Sequence, residues 1–124
     1  MATGGATIVV VEQSAGAMEL IDQALRETAD RVLITQSPLE ALEVADRIQI
    51  DLLVTYLADR HLRPTLVDEI RSSQPGLRVL FICDHTEKLP SGLDGAGALC
   101  SPFALDELRE AVAARLDRKL GAAR

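Results

Sequence analysis

The chain has 124 residues, which fits one domain with a genuine hydrophobic core and is too short for two. Its composition, 48 % apolar and 26 % charged, is that of a globular protein, and no apolar run reaches the roughly 18 residues of a membrane span. The net charge of −6, with dispersed basic and few aromatic residues, argues against nucleic-acid and membrane partners. The first residues lack a signal-peptide pattern, so we expect a cytoplasmic protein with free thiols.

Short apolar runs alternate with segments of helical period along the whole chain, which predicts a parallel sheet. The run at 6–11 is continuous, as in a strand that is covered on both faces. Ser14 can cap the helix that follows, in which Met18, Ile21 and Leu25 share one face.

The second unit begins with a strand at 31–35. Ser37 is the predicted N-cap of its helix, with Pro38 in the first turn and Glu40 completing a capping box. The buried stripe of this helix is predicted to be Ala41, Leu42, Ala45 and Ile48.

The third strand is predicted at 51–56 and ends on Tyr56. After a polar loop, Pro64 opens a helix that ends at Pro75 and Gly76. Its inward residues are predicted to be Leu66, Val67 and Ile70.

The fourth strand is predicted at 77–82, and Pro and Gly residues allow only a short or broken helix within 84–95. A fifth strand at 96–100 precedes a helix from 105 to about 118. The predicted buried face of that last helix comprises Leu105, Leu108, Val112 and Leu116.

Five strand–helix units joined by right-handed crossovers predict a three-layer α/β/α sandwich. We expect a single domain over 1–124, with a core at about 6–118 and short tails. Ligands of such sheets bind beyond the carboxyl ends of the strands, so the strand-end residues are the candidate site.

Five stretches resemble the receiver domain of two-component response regulators and hybrid histidine kinases. They occur in the family's order and spacing: VVVEQ, 38-PLEAL-42, DLLVTY, 75-PGLRVLF-81 and 101-SPFALDEL-108. The resemblance implies a flavodoxin-like (βα)5 fold with strand order 2-1-3-4-5. It also implies a single receiver-like domain that acts in bacterial phosphorelay signalling.

In that family, a carboxylate that ends the third strand accepts a phosphoryl group, and two acids after the first strand help hold Mg²⁺. A hydroxyl that ends the fourth strand and a lysine after the fifth bind the phosphoryl oxygens. The resemblance places these positions, in chain order, on Glu12, Gln13, Tyr56, Ile82 or Cys83, and Ser101.

These residues differ from what phosphoryl transfer requires, namely an anionic nucleophile, a divalent metal and fixed donors. A phenol with a pKa of about 10 is not ionised at neutral pH. Glu12 alone replaces little of the hydration of Mg²⁺, so we expect metal binding to be weak or lost. We expect Tyr56 to fill the pocket, with its hydroxyl bonded to Glu12, Ser101 or water.

The sequence thus predicts a degenerate receiver, a pseudo-receiver, that is not an enzyme and has no cofactor. Its expected partners are a histidine kinase, a phosphotransfer protein or another receiver, with homodimerisation left open. The partner would bind the first helix, or the face formed by the segment 84–95, the fifth strand and the last helix.

Three alternatives remain open. In the first, Asp59 replaces the lost acceptor from its loop, with Mg²⁺ near Glu12; a solvated loop acid is the simpler interpretation. In the second, His61 and His85 join Glu12 around a transition metal such as Zn²⁺; surface histidines are the simpler interpretation. In the third, the domain is a small-ligand or redox sensor that uses the altered pocket and the cysteines. Cys83 and Cys100 end neighbouring strands if the family's strand order holds and could form a redox pair; two small buried side chains are the simpler interpretation.

Overall fold

The computed structural model describes residues 6–12, 14–26, 31–56, 66–84, 98–101 and 103–116, apart from the side chains of residues 84, 100 and 101. These residues form strands and helices in strict alternation up to β4. In chain order they are β1 (Thr7–Val11), α1 (Ala15–Leu25), β2 (Arg31–Thr35), α2 (Pro38–Ala45), β3 (Leu52–Tyr56), α3 (Leu66–Ser73), β4 (Arg78–Asp84), β5 (Ala98–Ser101) and α4 (Leu105–Arg115).

The strands form one parallel sheet in the order β2-β1-β3-β4-β5. This order and the helices against the sheet confirm the predicted three-layer, flavodoxin-like fold. The short or broken helix predicted after β4 falls on residues 85–95, which lie outside the described residues. Within the described ranges, no helix combines the length and apolar character that crossing a membrane requires.

Two apolar clusters fill the spaces between the sheet and its helices. One lies beneath α1 and α4 and includes Ile8, Leu52 and Leu108. The other lies beneath α2 and α3 and includes Val9 and Leu53. Neighbouring residues of β1 and β3 thus enter opposite clusters, which explains why the sequence is continuously apolar at 8–11 and at 52–54. Burying each such side chain contributes about 1.5–3 kcal/mol.

Most inward-facing helix residues are buried as the hydrophobic period predicts. In α3 and α4 these residues are Leu66, Val67, Ile70, Leu108, Val112 and Leu116. Ile48 is an exception, because α2 ends at Ala45 and Ile48 lies beyond the helix, where it is only half-buried. Met18 in α1, Leu42 and Ala45 in α2, and Leu105 in α4 are likewise only half-buried, so Ala41 is the one predicted inward residue of α2 that is buried.

Both predicted serine caps are present. The Ser14 hydroxyl accepts a hydrogen bond from the backbone N–H of Ala17 at 3.3 Å, and Ser37 accepts one from Glu40 at 3.2 Å. The second half of the predicted capping box is wrong in detail. Glu40 accepts its bond from the backbone N–H of Gln36, at 2.6 Å, and not from that of Ser37.

The boundaries of four strands differ from the predictions. β1 begins one residue late, at Thr7, and β5 continues one residue further, to Ser101. β4 continues two residues beyond Ile82 to Asp84, because β5 pairs with it from Phe81 onward and extends the ladder. β3 begins at Leu52, one residue late. Asp51 still donates its backbone N–H to the Thr7 carbonyl at 2.9 Å, but the Thr7 N–H donates to the Asp51 side chain, at 2.7 Å.

A buried glutamine fastens the amino-terminal edge of the sheet. Gln74 is 6 % exposed, and its side-chain oxygen accepts a hydrogen bond from the backbone N–H of Ile50 at 2.7 Å. Its side-chain nitrogen donates to the carbonyls of Ala45 and Ile48 at 2.9 and 3.0 Å. One side chain therefore joins α3, the end of α2 and the residues before β3.

Candidate functional site: the carboxyl ends of the strands

Glu12 follows directly after β1 and is held in place from both its backbone and its side chain. Its backbone N–H donates to the Thr35 carbonyl at 2.9 Å. One carboxylate oxygen, Oε2, accepts from the backbone N–H of Ser14 at 3.0 Å. The side chain is only 5 % exposed. A carboxylate beside the first turn of α1 is also favoured by the helix dipole.

Tyr56 is the last residue of β3 and lies at the same level of the sheet as Glu12. The register pairs Val10 with Val54, and Glu12 and Tyr56 each follow two residues later. The Tyr56 hydroxyl donates to Oε1 of Glu12 at 2.5 Å. The predicted hydrogen-bond partners of this phenol were Glu12, Ser101 or water, and in the structure it bonds to Glu12.

The Glu12–Tyr56 pair leaves both oxygens of the carboxylate engaged, one with the phenol and one with the Ser14 amide. A cation at Glu12 would have to compete with these donors, and Mg²⁺ gives up its hydration reluctantly. No group of three or more His, Cys, Asp or Glu side chains with the geometry of a metal site occurs among the residues that the model describes.

Ile82 and Cys83 occupy the place predicted for the phosphate-binding hydroxyl. Ile82 is the register partner of Tyr56, is 3 % exposed and belongs to the cluster beneath α1 and α4. Cys83 is fully buried in the opposite cluster. Neither residue has a hydroxyl group, and both side chains are buried in the hydrophobic core.

The ends of β4 and β5 bring together a pair that the sequence did not single out. Asp84 is the register partner of Ser101, the residue at the family's lysine position. The sequence pattern placed Asp84 in the segment 84–95 after the fourth strand, so its carboxylate was not among the predicted site residues. The pattern ICD before a histidine gives no signal that the strand extends that far.

Two further residues support Glu12 without having been predicted to do so. The Thr35 hydroxyl donates to the Val10 carbonyl at 2.9 Å and is buried with it, which fixes the end of β2 against β1. Ser14 was predicted only as a helix cap, yet its backbone N–H also anchors Glu12. The short spacing of Glu12 and Ser14 is the one sequence signal that suggests this contact.

Several predicted candidates lie outside the described residues. They are Gln13, Asp59, His61 and His85. The backbones of Cys100 and Ser101 are described as part of β5, but their side chains are not.

Two open cavities flank the edge strand β2, away from Tyr56. One has a volume of about 380 Å³ and lies between α1 and β2, where Met18, Glu19 and Ile34 line it. The other, of about 330 Å³, is lined by residues that include Glu40 and Arg47. Neither includes Glu12 or Tyr56 in its lining.

A scan against protein-family models and a search of curated proteins found no match. Solved structures do match. A response regulator from Thermotoga maritima shares 22 % identity at a TM-score of 0.71, over 90 % of this chain and 98 % of that one. A response regulator receiver protein from Sinorhizobium medicae shares 21 % identity at a TM-score of 0.71, over 90 % and 94 % of the two chains.

NtrX from Brucella abortus gives a TM-score of 0.75 at 21 % identity, over 93 % of this chain but 26 % of its own. The match therefore corresponds to one part of that longer protein. Together these likenesses show that the chain has the fold of response regulator receiver domains.

Proposed function

We propose that this chain is a pseudo-receiver, a receiver-type module that works in two-component signalling through protein contact and without phosphorylation at the third-strand position. The observation that carries the proposal is the hydrogen bond from Tyr56 to Glu12. It joins the residue at the acceptor position to the one acid of the family's metal pair that this chain retains.

The chemistry of that pair favours a site that neither accepts a phosphoryl group nor binds a metal. A phosphoacceptor must present an unprotonated nucleophile to the phosphorus atom, with a metal to neutralise charge. Tyr56 instead keeps its proton, and its hydroxyl donates a hydrogen bond to Glu12. The same contact occupies the oxygen that a metal would need. The pair holds the carboxyl ends of β1 and β3 in one arrangement, so the module has a single constitutive state.

The partner of such a module would be a histidine kinase, a phosphotransfer protein or another receiver, all expected in the cytoplasm. α1 is one surface that suits them. Leu20 on this helix is 51 % exposed and offers a large apolar side chain that a partner could bury. The other candidate surface is the face that includes β5 and α4. In this proposal regulation follows from partner occupancy, and the chain itself catalyses nothing.

Incubation with Mg²⁺ and acetyl phosphate, followed by intact-mass measurement, tests whether the chain can be phosphorylated. We expect no gain of a phosphoryl group under conditions that phosphorylate a receiver with the acceptor aspartate. A gain that is lost in Asp59→Ala would overturn the proposal in favour of a receiver with a displaced acceptor. A gain that is lost in Tyr56→Phe would overturn it in favour of a phenol acceptor.

Binding to purified histidine kinases and phosphotransfer proteins from the same organism tests the interaction role. Leu20→Asp should weaken binding at least about tenfold if α1 is the contact, since each 1.4 kcal/mol of lost burial is a factor of ten. Leu39→Asp is the matched control, because Leu39 is 66 % exposed on α2. If Leu20→Asp binds normally, Glu110→Arg tests whether the partner binds the α4 surface instead. Normal binding by both variants would contradict the proposal that the partner binds at either surface.

A further inference from the structure

We propose that Cys83 and Cys100 form a reversible disulfide between β4 and β5, which makes this edge of the sheet a site of thiol oxidation. The proposal does not depend on the pseudo-receiver function, because it concerns a covalent bond within the chain. The two residues are the only cysteines of the sequence.

The sheet register brings the two cysteines together. In the parallel pair of β4 and β5, Cys83 is the direct partner of Cys100. Neighbouring strands of a sheet lie about 4.7–4.9 Å apart. Disulfides join residues whose Cα atoms are about 4.4–6.8 Å apart. The Cα separation that the sheet imposes is therefore within the range of a disulfide, although the two cysteines lie 17 positions apart in sequence.

Burial decides which thiol reacts first. The Cys83 side chain is fully buried in the apolar cluster beneath α2 and α3. Apolar surroundings disfavour the thiolate and deny access to an oxidant in solution. The first attack is accordingly assigned to the other thiol, that of Cys100, and Cys83 acts as the resolving thiol from within the core.

The oxidant in this reaction is a small-molecule disulfide such as oxidised glutathione. The Cys100 thiolate, having lost its proton to solvent, attacks one sulfur and expels one glutathione thiolate, which leaves a mixed disulfide on Cys100. The Cys83 sulfur then attacks the Cys100 sulfur, loses its proton and expels the second glutathione. One S–S bond is consumed and one is formed, the two protein thiols are oxidised and two glutathione thiols are produced.

The bridge would fasten β5 to β4 beside the candidate site, because Cys83 follows Ile82, the register partner of Tyr56. Thiol–disulfide exchange runs in both directions, so an excess of reduced thiol is expected to reverse the oxidation.

Trypsin separates the two cysteines and gives a direct test. Cleavage after Arg78, Lys88 and Arg109 places Cys83 in peptide 79–88 and Cys100 in peptide 89–109. The folded protein is treated with oxidised glutathione, its remaining thiols are blocked, and it is digested without reductant. We expect the two peptides as one linked species that dithiothreitol separates. Free peptides, or a separate glutathione on each, would overturn the proposal.

Two controls define the bond and the order of attack. A mixture of unlabelled and ¹⁵N-labelled protein should give no linked species of mixed label; a mixed-label product would show a bond between chains and refute the internal bridge. Cys83→Ser should retain one glutathione on Cys100, whereas Cys100→Ser should take up glutathione at least about tenfold more slowly. Equal uptake by the two variants would contradict the assigned order. Circular dichroism confirms that both variants are folded.

Discussion

Replacement of Tyr56 by Phe removes one hydroxyl and keeps the ring, so it isolates the hydrogen bond to Glu12. That bond joins residues 44 positions apart and holds the carboxyl ends of β1 and β3 together. Without it, Oε1 of Glu12 loses a protein donor while the side chain stays 5 % exposed. The variant should therefore be less stable than the natural chain.

The size of the loss follows from the environment of the two groups. A hydrogen bond to a charged group contributes about 1.5–3 kcal/mol. Tyr56 is 38 % exposed, so water can reach the site and replace part of the bond. We expect a loss near the lower end, about 1.5 kcal/mol. For a domain of this size that corresponds to a fall of about 6 °C in Tm.

Urea unfolding followed by circular dichroism measures this loss, because the chain has no Trp to report by fluorescence. Ser72→Ala is the matched control. It also removes a hydroxyl hydrogen bond, from Ser72 to the Glu69 carbonyl at 2.7 Å, but on the exposed surface of α3. Surface changes of this kind stay within about 0.5 kcal/mol.

A double-mutant cycle with Glu12→Ala tells the pair interaction from a general effect of the Phe ring. If Tyr56 acts through Glu12, the Phe substitution should cost little once the carboxylate is gone, with a coupling of about 1 kcal/mol or more. Equal losses in the two backgrounds, or a Tyr56→Phe variant as stable as the natural chain, would refute the reasoning.

Three further stability predictions use the same assay. Gln74→Ala should cost about 3 kcal/mol because it leaves the buried Ile50 N–H and two carbonyls without their partner; a loss below about 1 kcal/mol would show that water replaces the amide. Ser37→Ala should cost about 1 kcal/mol through loss of the N-cap, whereas Ser37→Gly should cost only a few tenths. Leu108→Ala should cost about 2–5 kcal/mol because Leu108 is fully buried, while Leu20→Ala on the surface should stay within about 0.5 kcal/mol; similar losses would contradict the assigned burial.

The sequence by itself determined the order of strands and helices, the two serine N-caps and most of the buried residues of α1, α3 and α4. These features depend on residues close together along the chain. The continuous apolar runs of β1 and β3 and the spacing of Leu108 and Val112 are examples, since hydrophobic period reports burial directly. The predicted end of a strand was less accurate where apolar and polar residues mix, as at Cys83 and Asp84 at the end of β4.

Only the tertiary structure decided which groups meet across the sheet. It selected Glu12 among the partners of Tyr56, placed Cys83 opposite Cys100, and extended β4 to Asp84. Each of these outcomes depends on the register between strands that are distant in sequence. A shift of one residue in that register would move every side chain of a strand to the other face, and local pattern alone does not fix it between two apolar strands.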